Sequence, residues 1–213
     1  MNHINKIVLE NLNFSYGNNN VFRNSINAQF CSDRIYLLKG KNGAGKSTLC
    51  KLLTKLYENY SGKIYFNDID QRDLSREELL DEIAVVFQAT PVFYDSIIDN
   101  LLLGRKTKKL EKLLSLFGLE KDLKEAGREF TDILSDENSL SGGQIQKLGI
   151  IRVLLSDKSI YIFDEPTSNL DVDSKKVFYD ILNQLKSNHM IFLISHEENI
   201  EKYVDEVFIL DKR

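Results

Sequence analysis

Short apolar runs and stretches with helical spacing alternate along this chain. The apolar runs lack polar alternation, and they cover residues 35–38, 64–66, 84–87, 160–163, 191–194 and 207–210. Runs of this kind are typical of strands that are covered on both faces, as in a parallel sheet. We therefore predict a strand at each of these places.

Apolar residues with helical spacing lie between the runs. They are Leu49, Leu52, Leu53 and Leu56, then Leu110, Leu113, Leu114 and Phe117, and finally Leu148, Ile151 and Leu155. The first group predicts a helix over 48–57, and strands that alternate with helices indicate an α/β fold. Because the stretch 95–155 has no strong strand candidate, we predict a helical subdomain there, inserted into an α/β core of residues 1–94 and 156–213.

Composition and charge fit one globular domain. The chain has 213 residues, of which 42% are hydrophobic and 28% charged, and its formal net charge is −4. This slightly acidic balance argues against a nucleic-acid partner. The basic run at 105–109 is better explained as a solvated helix face than as a nucleic-acid site. Gly17 and the asparagines at 18–20 predict a hairpin turn.

The two cysteines and the lack of long apolar segments indicate the cellular compartment of the chain. Cys31 and Cys50 are too few for a disulfide framework, and we expect two reduced, buried thiols. No apolar run approaches the roughly 18 residues that span a bilayer, and the N-terminus lacks the apolar stretch of a signal peptide. We expect the chain to stay in the cytoplasm.

Residues 40–47 match the phosphate-binding pattern G-x-x-x-x-G-K-[ST] in full. They follow a predicted strand and precede a predicted helix, which is the context that the pattern requires. Glycines let the backbone turn its N–H groups toward phosphate oxygens, and the helix N-terminus favours an anion. Lys46 would reach the β- and γ-phosphates, and the Ser47 hydroxyl would ligate Mg²⁺. The predicted nucleotide-binding residues here are Gly40, Lys41, Asn42, Gly43, Ala44, Gly45, Lys46, Ser47 and Thr48.

Two carboxylates follow the apolar run 160–163. In an open parallel sheet, ligands bind beyond the carboxyl ends of the strands. Asp164 would hold Mg²⁺ at such an end, directly or through water. Glu165 would then polarise a water molecule for attack on the γ-phosphate.

A second phosphate-facing corner is predicted at Ser141, Gly142, Gly143 and Gln144. Ser141 is a good N-cap, and two glycines before a helix that starts near Gln144 make an anion-binding corner. One nucleotide can hardly use both corners of a single chain. The simplest arrangement is a pair of chains, in which each lends its Ser141 corner to the nucleotide of the other.

Together these motifs resemble the nucleotide-binding domain of an ATP-binding-cassette (ABC) transporter over the whole chain. Residues 40–47 resemble the Walker A loop, residues 140–144 resemble the signature motif, and Asp164-Glu165 resembles the Walker B aspartate with the catalytic glutamate. The resemblance implies an α/β fold. It comprises a P-loop NTPase core with a mostly parallel sheet, an N-terminal antiparallel β subdomain and an inserted helical subdomain.

The resemblance assigns roles to further residues. Gln88 is similar to the glutamine that contacts Mg²⁺ and senses the membrane partner, and Asp171 is similar to the D-loop aspartate at the dimer interface. His196 is similar to the switch histidine that contacts the γ-phosphate. An aromatic residue at this place stacks on adenine in the family, which favours Tyr16 over Phe14.

An ATPase that uses ATP and Mg²⁺ is the activity that the resemblance implies. The implied catalytic residues are Glu165, His196 and Lys46, and the implied metal ligands are Ser47, Gln88 and Asp164. Two such chains, identical ones in the simplest case, would close head to tail at the cytoplasmic face of a membrane and drive a separate transmembrane subunit. The segment 91–100 resembles exporters, with peptide export by analogy, while a cytosolic ATPase of an assembly system remains the alternative.

Overall fold

The computed structural model describes residues 3–135 and 139–210, and the chain divides into two compact units. The first unit comprises Met1–Val85, Lys158–Asp164 and Leu182–Arg213, and the second comprises Val86–Asp157 and Glu165–Ile181. The predicted α/β fold, with a parallel sheet, an antiparallel sheet and helices, is confirmed. The units begin and end at other residues than the predicted core and inserted subdomain, whose boundaries stay a prediction.

An antiparallel sheet forms the N-terminal part of the first unit. Its strands and a neighbouring hairpin are β1 (Lys6–Asn13), β2 (Ser15–Tyr16), β3 (Asn19–Asn20), β4 (Ile26–Cys31), β6 (Ser61–Phe66) and β7 (Ile69–Asp70). The order in the sheet is β4-β1-β6-β7, and β2 pairs with β3 around Gly17, which confirms the predicted hairpin. The run at 64–66 is a strand, but the expectation of a parallel strand covered on both faces is wrong, because Tyr65 of β6 is only half-buried.

The parallel sheet of the first unit carries the strand ends that matter for function. Its strands are β5 (Arg34–Lys39), β8 (Ile83–Val86), β11 (Ile160–Asp164), β12 (Met190–Ile194) and β13 (Glu206–Ile209), in the order β13-β5-β12-β11-β8. Every residue of β11 and β12 is buried, as the unbroken apolar runs predict. Strand β13 lies at the edge of the sheet, so Val207 and Ile209 remain 40% and 64% exposed, and full coverage of this run is a wrong prediction.

The first helix, α1 (Lys46–Leu53), follows β5 and packs into the core of the first unit. Leu49, Leu52 and Leu53 are fully buried there. The helix ends before the predicted residue 57, because Lys55 adopts a left-handed backbone with φ of 54°. A further short helix, α2 (Arg76–Leu80), precedes β8.

Helices dominate the second unit and surround one central helix. They are α3 (Ile97–Leu102), α4 (Leu110–Phe117), α5 (Leu119–Glu125), α6 (Gly142–Leu154) and α7 (Val172–Leu185). The last four residues of α7 belong to the first unit. Helix α6 contacts α3, α4 and α5. A short ribbon of β9 (Asp95–Ser96) and β10 (Ile133–Leu134) was not predicted, since two-residue strands leave no apolar run.

The expectation for the basic run at 105–109 needs correction. The basic run at 105–109 lies in the loop between α3 and α4 and not on a helix face. Its first member, Arg105, is half-buried and donates a hydrogen bond to the backbone oxygen of Arg152 at 3.3 Å.

Both cysteines are free thiols as expected, but the expectation that both are buried needs correction. Only Cys50 is buried, whereas Cys31 lies near the end of its strand and is half-buried.

A buried arginine organises the segment that follows β8. The Arg152 guanidinium donates hydrogen bonds to the backbone oxygens of Asn100 and Pro91, both at 2.8 Å, and lies 5.3 Å from the ring centre of Phe93. Asn100, fully buried, binds the backbone N–H and C=O of Phe93 at 2.9 Å each. Burial, followed by the charge of Arg105, lowers the pKa of Arg152 to about 10. These contacts hold the segment before α3 onto the central helix.

Gly45 is the residue on which the loop before α1 turns. Its backbone is left-handed, with φ of 96° and ψ of 13°. A Cβ atom at this position would lie 2.6 Å from Cε1 of Phe22 and 2.7 Å from Cγ1 of Val21. Only glycine combines this backbone with so close an approach.

Replacement of Gly45 by alanine should therefore destabilise the protein more than the same change at Gly17. Gly17 also has a positive φ, 57°, but a Cβ atom there would meet nothing within 4 Å. We expect Gly17→Ala to cost about 1 kcal/mol of unfolding free energy, from the backbone alone. Gly45→Ala should add about 1–3 kcal/mol for the overlap with the two side chains. Urea unfolding of both variants measures the difference, and equal losses would show that Val21 and Phe22 move aside.

Candidate nucleotide site

The loop at 40–47 joins β5 to α1, so the strand and helix predicted around it are confirmed. Gly43 and Gly45 have positive φ angles of 77° and 96°, and the loop thereby enters the helix with its free N–H groups at the N-terminus. The Lys46 ammonium donates hydrogen bonds to the backbone oxygens of Gly40 at 2.8 Å and Lys41 at 3.4 Å. The loop thus holds a nearly buried cation beside a helix N-terminus, which is the chemistry that binds an anion.

An exposed aromatic ring lies next to the start of α1. The hydroxyl of Tyr16 lies 3.3 Å from Oγ1 of Thr48, and the residue is 46% exposed. Phe14, the other candidate for an adenine contact, is only 7% exposed and stacks on Tyr57 with the ring centres 5.3 Å apart. Of the two predicted candidates, Tyr16 is therefore the accessible ring, and its contact with adenine stays a prediction.

Asp164 ends the buried strand β11 and lies beside Ile194 of β12 in the parallel register. It is nearly buried, and its negative charge is close enough to α1 to act on Cys50: burial first, and the Asp164 charge second, raise the pKa of the Cys50 thiol. Ser47 is the second residue of the same helix and is half-buried.

Asp164 and Ser47 offer oxygen atoms of the kind that Mg²⁺ prefers, and water and phosphate oxygens would fill its other positions. Among the described residues, no group of three or more His, Cys, Asp and Glu side chains is placed to hold a metal by itself. The donor set fits a magnesium ion that arrives with a nucleotide.

His196 follows the buried strand β12 and is exposed. It lines one groove of about 1270 Å³ together with Gly40, Lys41 and Asn42 of the loop. Within the first unit, the structure thus brings the predicted histidine to the predicted phosphate loop. Its contact with a γ-phosphate stays a prediction.

Ser141 begins the central helix of the second unit. Its hydroxyl accepts the backbone N–H of Gln144 at 3.3 Å, while its own N–H donates to Oε1 of Gln144 at 2.9 Å. This reciprocal pair is a capping box, and it confirms Ser141 as the N-cap. The helix starts at Gly142, two residues earlier than predicted, because the cap is Ser141 itself. A groove of about 500 Å³ brings Ser141, Gly143, Gln144 and Asp171 together.

A buried lysine ties Asp171 to the central helix. The side chain of Lys147 is 6% exposed and its ammonium lies 2.7 Å from Oδ2 of Asp122 and 3.3 Å from Oδ2 of Asp171. Asp171 also accepts the hydroxyl of Ser174 at 2.7 Å and its backbone N–H at 2.8 Å. These bonds, with those from Ser174 as the largest cause and Lys147 after them, hold the pKa of the Asp171 carboxyl well below its usual range.

Glu165 and Gln88 belong to the second unit, whereas the phosphate loop, Asp164 and His196 belong to the first. Glu165 is half-buried and follows β11 directly, with a left-handed backbone at φ of 53°. Gln88 is exposed, two residues after the end of β8. Their catalytic and metal-binding roles stay predictions.

Two polar residues of α6 near the Ser141 corner were missed by the sequence analysis. Lys147 binds Asp171, and Gln146 donates a hydrogen bond from Nε2 to the backbone oxygen of Glu165 at 2.8 Å. Both are buried. Their only signal in the sequence is a pair of polar residues at 146–147, just before the apolar stretch of a helix, which gives no indication of what they contact.

The described part of the chain contains no helix with both the length and the apolar character that a membrane span requires.

The sequence pattern of the ABC transporter family matches residues 23–168. The lactococcin-G-processing and transport ATP-binding protein LagD of Lactococcus lactis subsp. lactis is 35% identical over 211 residues, which cover 97% of this chain and 30% of that protein. The microcin-J25 export ATP-binding/permease protein McjD of Escherichia coli is 33% identical over 210 residues, which cover 96% of this chain and 36% of that protein. The chain therefore spans about a third of the length of these relatives.

A solved structure of a bacterial Atm1-family ABC exporter with ATP bound has the same fold. It superposes with a TM-score of 0.88 at 22% sequence identity, and the match covers 98% of this chain and 37% of that one. The family pattern extends over the loop at 40–47, the Ser141 corner and the Asp164-Glu165 pair. The chain belongs to the ABC transporter family and is an exporter-like nucleotide-binding domain that binds and hydrolyses ATP.

Proposed function

We propose that this chain powers the export of a peptide through a separate membrane-spanning partner. The observation that carries the proposal is the presence of two anion-binding helix N-termini, one at Gly45 before α1 and one at Ser141 before α6. The relatives LagD and McjD, by their names, transport lactococcin G and export microcin J25. A peptide substrate is proposed for this chain by that likeness.

The two corners suit a head-to-tail pair of chains. The Ser141 groove belongs to the second unit and opens beside Asp171 and Asn169, whereas the phosphate loop belongs to the first unit. In the proposed dimer, the Ser141 corner of each chain faces the ATP on the loop of the other. Two ATP molecules are then held between the chains, and hydrolysis reopens the pair.

The chain's own residues divide the chemistry between them. Lys46 exchanges its hydrogen bonds with the loop carbonyls for the β- and γ-phosphate oxygens. Glu165 orients or activates the attacking water, and His196 stabilises the charge that develops on the γ-phosphate. Asp164, Ser47 and Gln88 would hold Mg²⁺, which neutralises phosphate charge when it is bound.

The surface for the membrane partner is proposed around the segment that follows Gln88. Phe93 and Tyr94 there are 48% and 82% exposed, although Asn100 binds the backbone of Phe93 and Arg152 binds that of Pro91. Large aromatic residues on a rigid backbone are suited to a protein contact. Movement of Gln88 with the nucleotide would reach the partner through this segment.

Replacement of Glu165 by glutamine tests the catalytic assignment. The amide keeps the size of the side chain but accepts no proton, so we expect ATP turnover to fall by about 10²–10⁴-fold. Affinity for ATP should stay within about twofold, because the phosphate loop is untouched, and ATP should trap a dimer. Phosphate release, fluorescent nucleotide binding and analytical ultracentrifugation measure the three quantities.

The matched control for that variant is Glu120→Gln. Glu120 lies on the exposed face of α5, where it pairs with Lys124 at 2.7 Å. Its replacement should leave turnover unchanged. Turnover of Glu165→Gln at the wild-type rate would overturn the assignment of the base.

Isolation of the partner tests the transport function. We expect tagged Glu165→Gln, purified from detergent-solubilised cells, to bring with it a protein with several membrane-spanning helices. The yield should change with added ATP, because closure of the dimer is coupled to the partner. Mass spectrometry of the eluate with and without ATP identifies the protein. Soluble partners only, or none in either condition, would instead favour the cytosolic ATPase of an assembly system.

A further inference from the structure

The side-chain amide of Gln146 uses both of its ends. Gln146 lies on α6 and is 5% exposed. Its Nε2 donates to the backbone oxygen of Glu165 at 2.8 Å, and its Oε1 accepts the backbone N–H of Asn169 at 2.6 Å. The hydroxyl of Ser168 lies 3.3 Å from Nε2. One buried amide therefore fixes two points of the segment that follows β11.

The backbone conformation of Glu165 requires stabilisation by a contact of this kind. Its φ of 53° is left-handed, a conformation that residues with a Cβ atom adopt only when the surrounding structure stabilises it. The hydrogen bond from Gln146 fixes the plane of the peptide bond after Glu165. Because the backbone conformation and the chirality at Cα together set the direction of the Cα–Cβ bond, this hydrogen bond and the left-handed φ together direct the carboxylate.

Gln146 also connects Glu165 with the Ser141 corner. It lies on the same helix as Ser141, five residues further on, and the next residue, Lys147, is tied to Asp122 and Asp171. The Asn169 backbone oxygen would lie only 3.0 Å from a Cβ atom on Gly143, so the bound segment runs close to the corner. A shift of α6 would therefore shift the backbone of Glu165 with it.

We propose that Gln146 is a positioning residue for Glu165, which sets the direction of the carboxylate and couples it to the helix of the Ser141 corner. The proposal rests on the proposed role of Glu165 in orienting or activating water. Gln146 itself touches neither ATP nor the reacting water in this account. Its effect on turnover passes entirely through Glu165 and the segment that Gln146 binds.

A double-mutant cycle between positions 146 and 165 tests the proposal. Gln146→Leu keeps the size of the side chain but removes the acceptor of the Asn169 N–H and the shorter of two hydrogen bonds to the Glu165 oxygen, which then keeps only the Ser168 hydroxyl at 3.3 Å. In the full chain with its membrane partner, or as the chain alone if it turns over, we expect kcat to fall by about 10–100-fold with KM within about twofold. In the Glu165→Gln background, the same change should alter the residual single-turnover rate by less than about twofold.

Gln146→Glu is a second variant of the same size. A carboxylate at this place still accepts the Asn169 N–H, but it donates to the Glu165 oxygen only when it is protonated. Its rate relative to wild type should therefore rise as the pH is lowered from about 8 to about 6, since burial raises the pKa of a carboxyl group. A purely structural role predicts no such rise at a pH where both proteins are fully folded by circular dichroism.

Leu148→Ala is the matched control on the same helix. Leu148 is fully buried and makes no polar contact with Glu165, so its truncation lowers Tm without changing kcat below the unfolding transition. An equal loss from Gln146→Leu in both backgrounds, or an unchanged kcat, would overturn the proposal and leave the proposed function intact. Wild-type turnover by Glu165→Gln alone would instead overturn the proposed function of Glu165.

Discussion

The left-handed backbone of Gly45, packed against Val21 and Phe22, is the constraint on which the nucleotide site of the first unit depends. It turns the chain from β5 into α1 with no room for a side chain, and so fixes where the free N–H groups of the helix point. Lys46 follows directly and is held by the carbonyl of Gly40. The phosphate loop is thus built by core packing, and its chemistry follows from the position that the core imposes.

In the second unit, polar side chains and not core packing fix the backbone at the predicted site residues. Ser141 caps α6, and the same helix then presents Gln146 and Lys147 to the segment after β11. Buried polar groups are costly unless every partner is satisfied, and here the partners are the backbone of Glu165 and the carboxylate of Asp171. One helix therefore carries the Ser141 corner and also orders the segment that contains the predicted base.

The sequence predicts the local features of this structure. The loop at 40–47, the cap at Ser141 and the buried strands before Asp164 and His196 each follow from residues that are neighbours along the chain. The edge position of β13, the antiparallel pairing of β6 and the early end of α1 at Lys55 depend on which strands and turns lie beside them, and were not predicted. Gln146 and Arg152 were missed for the same reason, since their partners are far along the sequence.

Equilibrium binding of ATP with Mg²⁺ to Lys46→Ala, measured by calorimetry, tests the central claim most directly. Lys63→Ala is the control, because Lys63 is an exposed lysine of β6 outside the loop. Loss of a charged hydrogen-bond donor to the phosphates predicts an affinity about 10–100-fold lower for Lys46→Ala and an unchanged affinity for Lys63→Ala. Wild-type affinity in Lys46→Ala would show that the loop does not bind the phosphates through its lysine, and would contradict the account.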